Sequence, residues 1–164
     1  MQWCGQLTSI TASFNFSRMP LPAIWGPKLW DILHGIGARA GKSMLQTRRD
    51  EERELKWIFE HLEQIVPCQE CRKHIIEYRK ENPLPEKGLG YAHWIWQFHE
   101  AVNARLGKPS VVLVDGFGSS VILTKAWTEF KNCMRDSLMK GSVKGEFVAN
   151  WRLHMKLWQG FCGC

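Results

Sequence analysis

Asp50-Glu51-Glu52-Arg53-Glu54-Leu55-Lys56-Trp57-Ile58-Phe59-Glu60-His61-Leu62-Glu63-Gln64-Ile65-Val66-Pro67-Cys68-Gln69-Glu70-Cys71 is the stretch whose reading decides the fold. Leu55, Ile58, Phe59, Leu62, Ile65 and Val66 recur at helical spacing and predict one apolar helix face. Asp50 suits the N-cap of that helix, and Glu51, Glu52 and Glu54 suit the positive end of its dipole. Pro67 ends it. A second helix then starts at Cys68 and runs through His74 to Tyr78 or Lys80, because Asn82-Pro83-Leu84-Pro85 cannot continue it. The junction therefore presents two thiols on one turn at a helix start. Peptide N–H groups there favour the reactive thiolate, and Arg72, Lys73 and His74 add positive charge. A pair so placed can close into a disulfide that opens and recloses.

Outward from this junction the pattern stays helical. Residues 1–22 read as a mixed N-terminal extension ending in Met19-Pro20-Leu21-Pro22. Pro27 fits the first turn of a helix through Trp30, Leu33 and His34 to about Ala40, with Gly41 as its stop. A further helix spans Tyr91 to Leu106, closed by Gly107-Lys108-Pro109. Val111 to Val114 and Val121 to Leu123 flank Asp115-Gly116-Phe117-Gly118, which reads as a short hairpin or as a long loop with extended arms. Leu123, Ala126, Trp127, Phe130, Cys133, Met134 and Leu138 share one face of a fifth helix that Gly141 breaks. Phe147, Trp151, Met155 and Trp158 mark a last amphipathic stretch. The expected architecture is all-α: a helical bundle over residues 23–140 and a C-terminal extension over 141–164.

Length and composition narrow the function. A chain of 164 residues favours one domain that buries a core without staples. No apolar run is long enough to cross a bilayer, so no membrane partner is expected. Met1 to Arg18 lacks the basic start and apolar centre of a secretory signal, which points to a cytoplasmic setting. The net charge of +6 admits nucleic acid. Basic residues are nevertheless spread along the chain beside acids, as in Arg48-Arg49-Asp50-Glu51-Glu52, so solvated helix faces are the expectation. The same charge also suits an anionic cofactor bearing a diphosphate. Nine tryptophans are many for this size, and some are expected to line a flat ligand.

The six cysteines stand at 4, 68, 71, 133, 162 and 164, which is not a disulfide-knit miniprotein spacing. Zinc would require a second ligand pair, usually about 15–20 residues away, and none fits, so no metal is expected, and a non-enzymatic zinc-binding or helical interaction module is the alternative reading. A thioredoxin-like setting needs a βαβ unit, whereas Cys68 and Cys71 are flanked by helices. Cys162-Gly163-Cys164 closes the chain on what reads as a mobile tail, and a Cys-x-Cys pair suits a thiol relay. Cys133, on an apolar face, reads as buried and inert, and Cys4 as exposed.

Two aromatic stripes accompany the dithiol. Trp30 and His34 share a helix face, and together they can hold one face of a planar ring. Trp96, His99, Asn103 and Leu106 form another stripe, suited to a nucleotide, with Lys108 in reach of a phosphate. Taken alone, each stripe also reads as core packing.

Taken together, Trp30-Asp31-Ile32-Leu33-His34, Pro67-Cys68-Gln69-Glu70-Cys71 and His99-Glu100-Ala101-Val102-Asn103-Ala104-Arg105-Leu106-Gly107-Lys108 resemble the Erv/ALR family of FAD-linked sulfhydryl oxidases in order and spacing. The resemblance implies a four-helix bundle plus a short fifth helix that binds FAD, usually as a homodimer. It implies a thiol oxidase that forms disulfides in substrate proteins and reduces oxygen to hydrogen peroxide. Cys71 would lie next to the flavin, and Cys68 would meet incoming dithiols. Trp30 and His34 would touch the flavin, and His99, Asn103 and Lys108 the adenosine and phosphate portions. Gly26, Lys28, Trp96, Val102, Leu106 and Trp127 complete the implied cofactor surroundings. Cys162 and Cys164 resemble the shuttle pair of some members.

The chain also departs from the family pattern. Pro27 and Lys28 follow Gly26 where members often have Gly-Arg, and Glu100 replaces the usual Asn. Trp96 stands where cellular members often start a structural disulfide, a feature similar to the short oxidases of large cytoplasmic DNA viruses. That likeness implies a host-cytoplasmic or virion setting.

Overall fold

The structure is a computed structural model and describes residues 21–164. Cys4 and the expected extension, apart from Leu21 and Pro22, lie outside the described residues.

Seven α-helices follow one another: α1 Pro22–Gly37, α2 Arg48–Glu60, α3 Gln69–Glu81, α4 Tyr91–Arg105, α5 Leu123–Cys133, α6 Arg135–Met139 and α7 Gly145–Cys162. No strand occurs among the described residues, so the chain is all-α. α1 starts at Pro22, earlier than Pro27 suggests, and carries Pro27 in its interior. Trp25 and Leu29 bury on either side of Pro27, and this packing outweighs the one backbone hydrogen bond the ring removes. Thr47, not Asp50, is the N-cap of α2. The fifth helix breaks at Met134 into α5 and α6, and Gly141 at φ 70° ends the pair. Residues 107–122 form a loop, the second of the two readings of that segment.

A chain of rings ties the bundle together. Phe59 of α2 meets Trp94 of α4 at 5.7 Å, and Trp94 meets Tyr78 of α3 at 5.5 Å. Phe98 of α4 meets Tyr78 at 4.9 Å and Trp30 of α1 at 5.3 Å. Such pairs contribute about 0.5–1.5 kcal/mol each beyond area burial. Half of the described tryptophans are thus structural: Trp94, Trp127, Trp151 and Trp158 are buried in the core.

α5 lies along α1, and α7 lies antiparallel along α2. The α2–α7 seam carries polar groups that the sequence places on a solvated helix start. Glu51 is buried, and its Oε1 accepts from Gly41 N–H at 2.8 Å and Trp158 Nε1–H at 3.3 Å. Glu54 Oε2 pairs with His154 Nδ1 at 2.6 Å. Trp151 Nε1–H donates to Ile58 O at 2.9 Å, and Thr47 Oγ1–H donates to Phe161 O at 3.0 Å. Val148 takes the buried position expected of Phe147, which lies half-exposed under the Lys144 ammonium.

Candidate functional site

A cavity of about 620 Å³ opens between α1, α3, α4 and the 107–122 loop, within the range of small-molecule and cofactor sites. Helical period brings Trp30 and His34 of α1 to one wall, and His99, Val102, Asn103 and Leu106 of α4 to the next. Trp30 stacks on His99 with centroids 3.9 Å apart and planes 8° apart. His34 Nε2 and His99 Nδ1 stand 2.9 Å apart, so one ring nitrogen donates and the other accepts.

Burial, followed by the neighbouring His99, pushes the His34 pKa from 6.5 down to about 4. Burial lowers His99 as well, with Glu100 opposing and Lys108 adding to the effect. The pair is therefore neutral near pH 7. Between pH 6.5 and about 4 the unfolded chain binds a proton on His34 that the folded chain refuses. This part of the stability is present above pH 6.5 and is lost as pH falls toward 4, on the order of 3 kcal/mol at most. Thermal melts across that window should show Tm falling with pH in the native chain and a flatter profile in His34→Gln. An equal slope in both would refute the assignment.

Cys68 is the N-cap of α3, with extended backbone, and its Sγ accepts from Cys71 N–H at 3.1 Å. The two are disulfide-bonded with Cα atoms 5.2 Å apart. Cys71 lines the cavity and Cys68 does not. Arg72 fixes this corner by donating from Nε to Val66 O at 2.6 Å and from Nη2 to Ser142 O at 2.7 Å. Among the described residues, no group of three or more His, Cys, Asp or Glu is arranged to hold a metal.

Gly26, Trp30, His34, Cys71, His99, Val102, Asn103, Leu106 and Lys108 all meet this one cavity. Lys28, Trp96 and Trp127 are not among its lining residues. Lys28 Nζ pairs with Glu129 Oε2 at 2.7 Å, toward α5. Trp127 stacks on Trp151. Trp96 Nε1–H donates to Val111 O at 2.6 Å and buttresses the loop from outside. Cys133 is half-buried on α5, and Cys162 and Cys164 are disulfide-bonded where α7 ends.

The sequence suggests no role for the segment from Val111 to Val121, yet it forms a wall of the site. Phe117 sits edge-on against His34, with centroids 4.5 Å apart. Gly118 lies at φ 88°, and a Cβ there would meet His34 O at 2.4 Å, so only glycine lets the loop approach α1 this closely. Arg39 donates from Nη2 to Val121 O at 2.8 Å and from Nη1 to Gly35 O at 2.8 Å. Glu100, the departure from the family's Asn, accepts from Val111 N–H at 2.6 Å and from the Ser110 hydroxyl. The glycine pair Gly116 and Gly118 was the sequence signal available for this wall.

The lining suits a flavin nucleotide. It is mostly apolar with a few convergent polar groups, and the exposed cations Arg105 and Lys108 stand at its rim. His74 lines it too, with its Nδ1 buried and without a hydrogen-bond partner among the described residues.

The sequence model of the Erv1 / Alr family matches residues 27–135. The chain belongs to the Erv1 / Alr family. The FAD-linked sulfhydryl oxidase of African swine fever virus is 28% identical over 130 residues, covering 77% of this chain and 95% of that protein. FAD-linked sulfhydryl oxidase ERV1 of Oryza sativa subsp. japonica is 34% identical over 85 residues, 51% of this chain and 42% of that one. The mitochondrial FAD-linked sulfhydryl oxidase ERV1 of Saccharomyces cerevisiae is 31% identical over 85 residues, 51% of this chain and 43% of that one. No solved structure matches significantly. The Erv1 / Alr match runs from within α1 through α5 and so includes α3, α4 and the loop that wall the cavity.

Proposed function

We propose that this chain is an FAD-dependent thiol oxidase that forms disulfides in substrate proteins and reduces oxygen to hydrogen peroxide. The observation that carries the reading is the asymmetry of the redox pair: Cys71 faces the cavity and Cys68 lies outside it. Family membership and the names of the relatives support it.

A substrate thiolate attacks Cys68 Sγ, the Cys68–Cys71 bond breaks, and its electron pair leaves on Cys71 as a thiolate. A second substrate thiolate then attacks the substrate sulfur of the mixed disulfide. The substrate disulfide forms and Cys68 departs as a thiolate. Bound in the cavity, FAD supplies a two-electron acceptor that can hand its electrons to oxygen. Trp30 and the neutral His34 hold the flat ring, and His99, Asn103 and Lys108 hold the adenosine and phosphate portions.

A homodimer is part of this reading, as is a shuttle role for Cys162 and Cys164. A host-cytoplasmic or virion setting is supported by the viral relative. No helix among the described residues is long and apolar enough to cross a membrane.

The purified chain should carry the visible absorption of oxidised flavin, and dithiothreitol should drive oxygen uptake with peroxide formed. A colourless protein that stays inert after incubation with FAD, or that holds stoichiometric zinc, overturns the reading.

A further inference from the structure

A second groove of about 470 Å³ runs where α5 and α6 splay from α7, outside the proposed cofactor site. Its floor is apolar, from Trp127, Leu138 and Val148, with Leu153 52% exposed at its edge. Every ionisable side chain that lines it is a cation: Lys131, Arg152 and Lys156. None of the three makes an ion pair among the described residues. Arg152 is the telling one. It is partly buried, its guanidinium lies 5.7 Å from the Trp127 ring centroid, and its hydrogen bond is to the Gln159 side-chain oxygen at 3.4 Å. Burial lowers its pKa below the usual arginine value, as expected of a cation drawn from water without a counter-charge. An incoming carboxylate would supply that charge in bidentate geometry.

The groove also leads toward the redox pair. Its near end is Gly145, three residues after Ser142, whose carbonyl accepts from Arg72 at 2.7 Å. Arg72 directly follows Cys71. Three residues span at most about 10 Å. From Lys156 back to Gly145, α7 rises about 17 Å at ~1.5 Å per residue.

We propose that this groove is the docking track for acidic segments of protein substrates, holding them so that their thiols reach Cys68. The proposal rests on the oxidase reading and names the substrate class. An extended segment covers the roughly 27 Å from Lys156 to Ser142 in about eight residues, with the Arg72 side chain between that point and the redox pair. The substrates it fits carry acidic residues at least about six to eight positions from the reacting cysteine, with an apolar side chain between them. A nucleic acid strand fits less well. Trp127 is 7% exposed, and Trp151 and Arg152 already stand over its ring, so it offers no face for a base.

The test compares three reductants on the flavin-loaded full chain: dithiothreitol, a Cys-x-x-Cys peptide with an acidic and apolar arm, and the same peptide with lysines replacing its acids. The variants are Arg152→Glu/Lys156→Glu and, on the exposed α5 rim, Lys131→Glu. In the double variant, kcat/KM for the acidic peptide should fall at least tenfold, chiefly through KM, and the preference between peptides should invert. Lys131→Glu should act in the same direction with a smaller effect. Dithiothreitol kinetics should not change in either variant.

Unchanged acidic-peptide kinetics with intact dithiothreitol turnover would overturn the proposal. So would a change in oligomeric state alone, which would make the groove a self-interface. Displacement of a bound oligonucleotide without any peptide effect would also overturn it. A native chain that fails on dithiothreitol fails the oxidase reading instead, and the two failures are thereby distinguished.

Discussion

Cys71→Ser should remove turnover with dithiothreitol and with protein thiols alike, by on the order of a thousandfold or more, as losing the nucleophile of a covalent mechanism does. Cys71 is the member of the pair that lines the cavity, so it is where the electron pair released by substrate attack on Cys68 must arrive. A serine hydroxyl at that place neither forms the disulfide nor carries a thiolate. The substitution removes one sulfur from a half-buried position and leaves the stacked rings of Trp30 and His99 untouched. Flavin content should therefore stay near the native level, which separates lost chemistry from lost binding. The measurement is oxygen uptake beside the visible spectrum of the same preparation. A variant that is yellow and still active would defeat the assignment of Cys71.

Trp151→Ala should cost about 3–5 kcal/mol of stability, in line with aromatic-to-alanine changes in cores. Trp151 is fully buried, stacks on Trp127 at 5.6 Å, and gives its Nε1–H to Ile58 O at 2.9 Å. Truncation leaves a large cavity between α2, α5 and α7 and also strips that carbonyl of its donor. For a chain of this length the loss corresponds to roughly 10 °C or more in Tm. The same variant asks whether α7 belongs to the cooperative unit of the bundle. If it does, the denaturation curve shifts as a single transition. A loss below about 1 kcal/mol, or a separate early transition, would show α7 to be an appendage.

Local periodicity made most of the helices readable. Leu55, Ile58, Phe59 and Leu62 mark α2 because the apolar face repeats within one element, and Trp30 with His34 needs only one turn of one helix. Spacing likewise placed Cys68 and Cys71 at a helix start. What escaped depends on partners far along the chain. Glu51 reads as a surface dipole partner until Gly41 and Trp158 arrive to bond its Oε1. The stretch from Val111 to Val121 reads as a hairpin or a long loop until Arg39, Trp96 and Glu100 hold its backbone against α1 and α4. Lys28 and Trp96 neighbour lining residues on their helices but point to α5 and the loop, and Trp127, on a helix that gives the cavity no lining residue, packs on α7. Periodicity assigns a face but not the neighbour that covers it.

The antiparallel seam between α2 and α7 has a mechanical outcome. Phe161 is fastened to Thr47 at the start of α2, while Ser142, just before α7, touches Arg72 beside the redox pair. Cys162 is the last residue of that helix, so the two disulfides sit at opposite poles of a rod about 27 Å long. With Trp151 and Trp158 buried in the core, the terminal sulfurs stand a helix length away from Cys68 of their own polypeptide. Any electron traffic between the poles has to be completed by an adjoining subunit or a diffusing client, and its geometry is set at an encounter between chains.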